Sequence, residues 1–333
     1  MLDAQHWEMV SFQDLGADAW DRKIKDVNPS PYHASWWLDI LARYLPHASN
    51  ISVAFRSPDD QWAFFPAILM RRFGFRKVFS LPYVAGGILG QVAPDVVTQV
   101  RDNVLRNCDC FQITALRGDD PLLEGRGAPC YGVEVDLSLS KDALLDSFSE
   151  SRRRNIRQKR DKLTMLPVRD LEQMQLVTQL YRDRMKALNS SGTHSDDVLH
   201  AVFSLPETNR RITLAECEGN IVAANISLLF HRRAEFFINA STDDNQQYKP
   251  NVKLLWDDIC WAQEQGAERI YLGGAVDGTR DDPLFAYKRR WGKECVQYSL
   301  SKRLTARGVI IDGAQSVSKT RWAGRLLKLA GVR

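Results

Sequence analysis

Residues 248–292 constrain the fold of this chain more than any other stretch. Pro250 and Asn251 form a stop-and-cap signal for a helix start. Apolar residues follow at Val252, Leu255, Trp256, Ile259 and Ala262, the spacing of one buried helix face. The spacing predicts a helix over 251–265, ended by Gly266 as a left-handed residue. A short strand is expected over 269–272, then a break at Gly273-Gly274. A second short helix is expected over 284–290, carrying Tyr287, Lys288, Arg289 and Arg290 and stopping at Gly292. The order is helix, strand, glycine loop, basic helix. It places Lys288 just past a strand end, where α/β folds hold ligands.

Upstream, the same order recurs. Strands are expected over 51–55, 61–70 and 77–81, then a helix over 94–106 and a strand over 111–115. Strands over 212–217, 221–230 and 235–240 precede the 251–265 helix, with a hairpin turn at Glu218-Gly219-Asn220. The strand starts Ile51 and Ile212 are offset by 161 residues. The repetition argues for one α/β unit duplicated, each copy a mixed sheet flanked by helices. The expected division is a first unit over 1–132, a second over 133–302 and a basic tail over 303–333.

Charge is unevenly placed. Residues 151–162 and 302–333 hold 15 of the 45 Lys and Arg but two of the 41 Asp and Glu, so the remaining body is acidic. Concentrated positive charge on an acidic body points to a specific anionic partner. In 151–160, Arg153, Arg154, Arg157 and Lys159 are too dense to be paired locally. Residues 153, 157 and 160 share one helical face that could hold phosphates. In the tail, Trp322, Leu326 and Leu329 form an apolar stripe beside Lys319, Arg321, Arg325 and Lys328. That pattern suits peripheral contact with an anionic membrane, or packing on the first unit. No stretch approaches the ~20 apolar residues of a membrane span. The N-terminal residues lack the features of a signal peptide, which points to the cytoplasm. The six cysteines and six histidines show no metal-ligand spacing, so no metal is expected. No nucleophile–His–Asp set is evident, so a covalent acyl-enzyme is not suggested.

The run Leu254-Leu255-Trp256, Gly273-Gly274 and Tyr287-Lys288-Arg289-Arg290-Trp291-Gly292 resembles the FemAB-like branch of the GNAT acyltransferase superfamily. Tyr287 and Trp291 stand where that branch has phenylalanines. The segment Arg153-Arg154-Asn155-Ile156-Arg157 resembles the one that opens its second unit, and Leu81-Pro82-Tyr83 with Gly86-Gly87 resembles its glycine stretch. The resemblance implies two GNAT-like units and transfer of an acyl or aminoacyl group to an amine of a phosphate-bearing cell-envelope precursor, nucleotide- or lipid-linked. It implies Lys288 as the catalytic cation, stabilising an oxyanion. It makes Arg153, Arg154, Arg157, Lys159 and Tyr83 substrate-binding candidates, with Arg184 and Tyr248 flanking the expected cleft. Aminoacyl-tRNA serves as donor in the peptidoglycan-bridge members. Ordinary GNAT enzymes cradle coenzyme A in a glycine loop, where residues 247–252 here carry Pro250 and Val252. Acyl-CoA and aminoacyl-tRNA both stay open as donors. An acyl-CoA-dependent N-acetyltransferase is the alternative within enzymes. A non-catalytic protein binding RNA or anionic lipid is the alternative outside them.

Overall fold

The computed structural model describes residues 6–309 except 73, 83, 159–161, 189, 191–193, 244–245, 275–279 and 307. Its main feature is an 11-stranded mixed sheet. Across it run Leu163–Pro167, Arg210–Cys217, Asn220–Phe230, Arg233–Ser241, Arg269–Gly274, Ala128–Asp136, Lys293–Arg303, Cys110–Ala115, Phe75–Ser80, Ile68–Arg72 and Ala48–Asn50. A separate 4-stranded sheet joins Glu8–Ser11, Val53–Arg56, Trp62–Phe65 and Leu89–Gly90.

The duplication is visible in the connections. In the first unit the parallel strands Phe75–Ser80 and Cys110–Ala115 are joined through a helix at Pro94–Gln99 that continues as a π-helix over Val100–Leu105. In the second unit Arg233–Ser241 and Arg269–Gly274 are parallel and joined by Pro250–Glu264. The next strand of each copy then crosses over. Ala128–Asp136 pairs with the second unit's Arg269–Gly274, and Lys293–Arg303 pairs with the first unit's Cys110–Ala115. These two crossing strands also pair with each other, which fuses both units into one sheet. A division after residue 132 passes through the Ala128–Asp136 strand.

The 250–264 helix starts at Pro250 after Lys249, which takes a left-handed φ of 50°. Asn251 is not its cap. Its Nδ2 donates to Ser241 Oγ at 3.0 Å and its Oδ1 faces Asn239 Nδ2 at 3.3 Å, tying the helix to the preceding strand. Gly266 sits at φ 81°, as a helix-ending glycine should. The expected single strand over 61–70 is two strands, Trp62–Phe65 and Ile68–Arg72, which enter different sheets. Pro66 lies between them and cannot donate to a ladder.

One apolar core bridges the units, where Trp37 and Leu38 pack with Met174, Val177, Ile212 and Ile226. A second fills the first unit, and a third joins Ala128–Asp136 to the Pro250–Glu264 helix.

Candidate active site

The strands Arg233–Ser241 and Arg269–Gly274 pair in parallel at Arg233, Ala234 and Glu235. Beyond Glu235 they part. The wedge between them opens into a cavity of about 230 Å³, lined among others by Tyr32, Glu235, Phe237, Tyr271, Gly273 and Lys288. A β-bulge lies at the fork. Ile226 pairs with Ile238 and Ser227 with Phe236, so Phe237 is the extra residue. Bulges recur beside active sites because they re-aim a side chain. Here Phe237 turns toward Tyr32, Trp37 and His194.

Lys288 ends the short helix Pro283–Lys288. Asp282 starts that helix by accepting from the backbone of Leu284 at 2.6 Å. Lys288 Nζ reaches back over the glycines and donates to Gly274 O at 3.1 Å. Gly273 has φ 82°, and a Cβ there would stand 2.9 Å from Lys288 Nζ. Glycine thus supplies both the backbone conformation and the room for the ammonium. Burial lowers the lysine to about 8, against a smaller raising effect from Asp282.

Glu235 is 4% exposed and lines the same cavity. Burial raises it to about 8, although the Arg233 guanidinium opposes the rise. Arg233 itself is held by Glu134 at 2.7 Å, which Arg269 also meets at 2.9 Å. The cavity therefore contains a lysine and a carboxyl that both titrate near neutral pH. It can hold a proton, release one and stabilise a developing negative charge.

The first unit supplies the far wall. Val84 and Ala85 line the cavity from the loop after Phe75–Ser80. His33 pins that loop. Its Nδ1 accepts from Ser30 N at 2.8 Å, so the proton sits on Nε2, which donates to Ala85 O at 3.0 Å. Burial, then the Arg233 charge, holds His33 down to about 3, so it stays neutral.

Residues 150–289 match the family model of the acetyltransferase (GNAT) domain. A UDP-N-acetylmuramoylpentapeptide-lysine N(6)-alanyltransferase of Weissella viridescens is 30% identical over 84 residues, or 25% of this chain and 25% of that protein. The matching stretch thus spans a quarter of that relative. Among solved structures, FemX superposes with a TM-score of 0.70 at 12% identity, covering 88% of this chain and 97% of that one. L-PGS from Bacillus licheniformis gives 0.55 at 15% identity, over 93% and 97%. At these identities the two structures speak to the fold alone. The matched stretch resembles a GNAT domain. The whole chain resembles the FemAB-like branch, in fold and in its Tyr287–Gly292 run.

Of the residues singled out from sequence, the second unit brings Lys288 to the fork beside the glycines. Of the others, those that are described lie elsewhere. Arg153 donates to the carbonyls of Asp146 and Phe148, at 2.8 and 2.7 Å. Arg154 is exposed. Arg157 is exposed, 3.7 Å from Asp146. Arg184 reaches Asp243 at 2.8 Å. Tyr248 packs against Ala215, Val222 and Leu254, with Lys162 Nζ 5.9 Å from its ring. Tyr83, Lys159 and the tail from 310 on lie outside the described residues.

Two residues of the second unit do not stand out in the sequence. Glu235 sits in an apolar strand, and a carboxylate there is normally read as facing solvent. Arg152 is 5% exposed and lies over the rings of Trp291 at 4.4 Å and Tyr287 at 5.0 Å. It couples the basic Glu150–Arg157 helix to the residues flanking Lys288. Its signal is Ile156, four residues on, which marks the buried face of that helix.

Proposed function

We propose that the protein is an acyltransferase that forms an amide at the fork between Arg233–Ser241 and Arg269–Gly274. The observation that carries this reading is the shared placement of Lys288 and Glu235 in one cavity at that fork. The acceptor amine attacks the carbonyl carbon of the donor ester or thioester, and a C–N bond forms. The carbonyl oxygen takes the negative charge, and the Lys288 ammonium stabilises it. The C–O or C–S bond then breaks, and the leaving oxygen or sulfur takes a proton. Glu235 is placed to relay the proton lost by the amine. The site is built with its donors in place, so little reorganisation is needed during reaction.

The acceptor is a phosphate-bearing cell-envelope precursor, as the Weissella relative's name supports for that protein. Arg154 and Arg157 are the exposed cations nearest in sequence to the Arg152 stack, and they suit its phosphates. The donor is aminoacyl-tRNA or acyl-CoA. Such substrates imply a cytoplasmic enzyme.

Incubation with a UDP-linked muropeptide bearing a lysine amine tests this reading, with alanyl-tRNA in one arm and acetyl-CoA in the other. A new amide detected by mass in either arm supports it and identifies the donor. No product in both arms, with folded protein, overturns the acceptor class.

A further inference from the structure

At the base of the fork, charged side chains stand in two rows on one face of the sheet. In one row the register aligns Glu235, Tyr271 and Glu134 on neighbouring strands. In the next it aligns Arg233 with Arg269, and Arg269 with Asp136. Cross-strand partners and alternate residues share a face, so all six point the same way. Arg233 and Arg269 are like charges directly opposite each other, an unfavourable pairing. Glu134 bridges them. Its Oε2 accepts from Arg233 at 2.7 Å and its Oε1 from Arg269 at 2.9 Å, one oxygen for each guanidinium. Asp136 does not compete, because its carboxylate accepts from Ser138.

Glu235 has an arginine two residues away on its own face and does not pair with it. Among the described residues its carboxyl makes no hydrogen bond and no ion pair, although the residue is 4% exposed. Two residues of strand span about 7 Å, within the joint reach of an arginine and a glutamate. Arg233 points to Glu134 instead. Their side chains are 11% and 16% exposed, so their attraction is little screened.

Most other groups that face Glu235 are neutral near pH 7. Burial raises Tyr32 and Tyr271 and lifts Cys295 to about 12. It lowers His194, across the cavity, to about 4. A groove of about 440 Å³ adjoins the fork and shares Arg233 and Tyr271 with it. There Arg117 is taken by Asp119, and Asp120 by the backbone amides of Ile88 and Leu122. The charges left around Glu235 are Lys288, Arg233 and Glu134, with Arg269 behind them.

We propose that Glu134 is a positioning residue of the acyl-transfer site: it holds the Arg233 guanidinium beside Arg269 and away from Glu235, so that the Glu235 carboxyl stays unpaired and free to exchange a proton with the acceptor amine. This rests on the reading of Glu235 as the proton relay. Glu134 touches no reacting atom, since Tyr271 stands between it and Glu235 in the row. Without the Glu134 charge, Arg233 turns to the carboxyl two residues along its own strand.

Infrared titration of the full chain tests this without substrate. The C=O stretch of protonated carboxyls is followed with pH, and the Glu235 band is the part absent in Glu235→Gln. In the parent it should be lost at about pH 8. In Glu134→Gln it should be lost about 1–3 pH units lower, the scale for a carboxyl that gains an opposite charge at close range. Adding Arg233→Gln to that variant should bring the band back to within about one unit of the parent, which a mere packing defect would not do. Should Glu134→Gln fold poorly, Arg233→Gln alone decides. Its Glu235 band should move by less than about one unit, because the cation it removes is already taken by Glu134. The proposal is overturned by an unshifted band in Glu134→Gln, by no return in the double variant, or by a larger rise in Arg233→Gln. Rates in the muropeptide assay give a second readout. In Glu134→Gln kcat should fall with KM unchanged, and the double variant should recover it; a fall without recovery also overturns the proposal. No product even from the parent overturns the relay role of Glu235, whereas the infrared shifts decide the hold on Arg233 by themselves.

Discussion

The two units contain the same parallel fork and use it differently. In the first, Phe75–Ser80 and Cys110–Ala115 pair from Lys77 to Ser80, and the following loop folds back into the gap. Gly86 N donates to Thr114 O at 2.6 Å, and Gly87 N donates to Ser80 Oγ at 2.7 Å. Ser80 Oγ in turn reaches Pro66 O at 3.1 Å. Asp120 closes the plug by accepting from Ile88 N at 3.0 Å. In the second unit the strands part after Glu235 and Tyr271, and the gap holds Lys288, Gly273 and open volume. One duplicated frame thus gives a sealed fork and an open one. The sealed fork lends its loop, through Val84 and Ala85, as a wall for the open one. The difference teaches that glycine has two uses at such a fork. Gly86 lets backbone approach backbone, and Gly273 lets backbone approach an ammonium.

The largest expected effect comes from emptying the open fork. Lys288→Ala should lower turnover by ~10²–10³, the usual loss for one oxyanion donor. It should leave the melting temperature equal or higher, because a half-buried charge is removed. Steady-state rates beside thermal melts check this. An unchanged rate would make the two forks equivalent and end the comparison.

Titration should also separate the units. Glu235 is raised from 4.5 to about 8, so between those values the folded chain holds a proton that the unfolded chain has lost. Stability therefore falls as pH rises through that window, and Asp258, also raised to about 8, adds to the fall. His33 in the first unit acts in the other sense. It is lowered from 6.5 to about 3, so stability falls as pH drops through that range. Glu235→Gln should flatten the decline between pH 5 and 8 by up to about 1.4 kcal/mol per pH unit, the limit for one proton. Denaturant unfolding at several pH values measures it. A parallel curve in the variant would mean that Glu235 is ionised in the fold. The activity profile should fall above pH about 8 as Lys288 loses its proton.

Much of the second fork is legible in the chain. Pro250, the apolar spacing and Gly266 place its helix to within a residue at each end. The turn at Glu218-Gly219 is read from its type, and both residues take positive φ. The strand Lys293–Arg303 is not expected from sequence, because its residues are half-buried and largely polar. It sits between two other strands, which local pattern cannot reveal. Arg152 and Glu235 are missed for a related reason. On a helix with basic residues on most faces, packing alone decides which one turns inward. A carboxyl in a strand becomes buried only because a bulge and a second unit cover it. The Gly86-Gly87 pair is read from sequence as part of a glycine stretch beside the substrate-binding candidate Tyr83, whereas both backbone amides are engaged within the first unit.

A smaller effect is expected from prying at the seal. A Cβ on Gly86 would lie 2.3 Å from Ser80 O and 2.6 Å from Ser80 Oγ. Gly86→Ala should therefore cost about 1–3 kcal/mol, the range for overpacking a tight core. Gly273→Ala meets the end of a flexible lysine instead, at 2.9 Å, so its cost is mainly that of the left-handed backbone. The second variant should lose more activity than its stability loss explains, since it displaces Lys288. Chemical denaturation of both proteins, with rates for the second, checks the contrast. Full stability in Gly86→Ala would show that the loop does not seal the first fork.

The smallest effect should come from outside both forks, where the units differ in charge. The second unit opens with the basic Glu150–Arg157 helix, on which Arg154 and Arg157 are exposed. Arg157 lies 3.7 Å from Asp146, and both side chains are more than 60% exposed, so the pair adds little stability. Replacing both arginines by glutamine should change stability by less than ~0.5 kcal/mol. Binding of a nucleic-acid or other polyphosphate substrate should weaken severalfold. The slope of log affinity against log salt should fall by about one for each phosphate that is no longer neutralised. Arg152→Gln is the internal control, because its guanidinium is buried over Trp291. That variant should be destabilised by ~1–2 kcal/mol as the stacking on the ring is removed. Affinity measured at four salt concentrations decides the matter. Equal slopes in the double variant and the parent would mean that the exposed arginines are solvated surface, and the acceptor's phosphates would then have to be held from within the open fork.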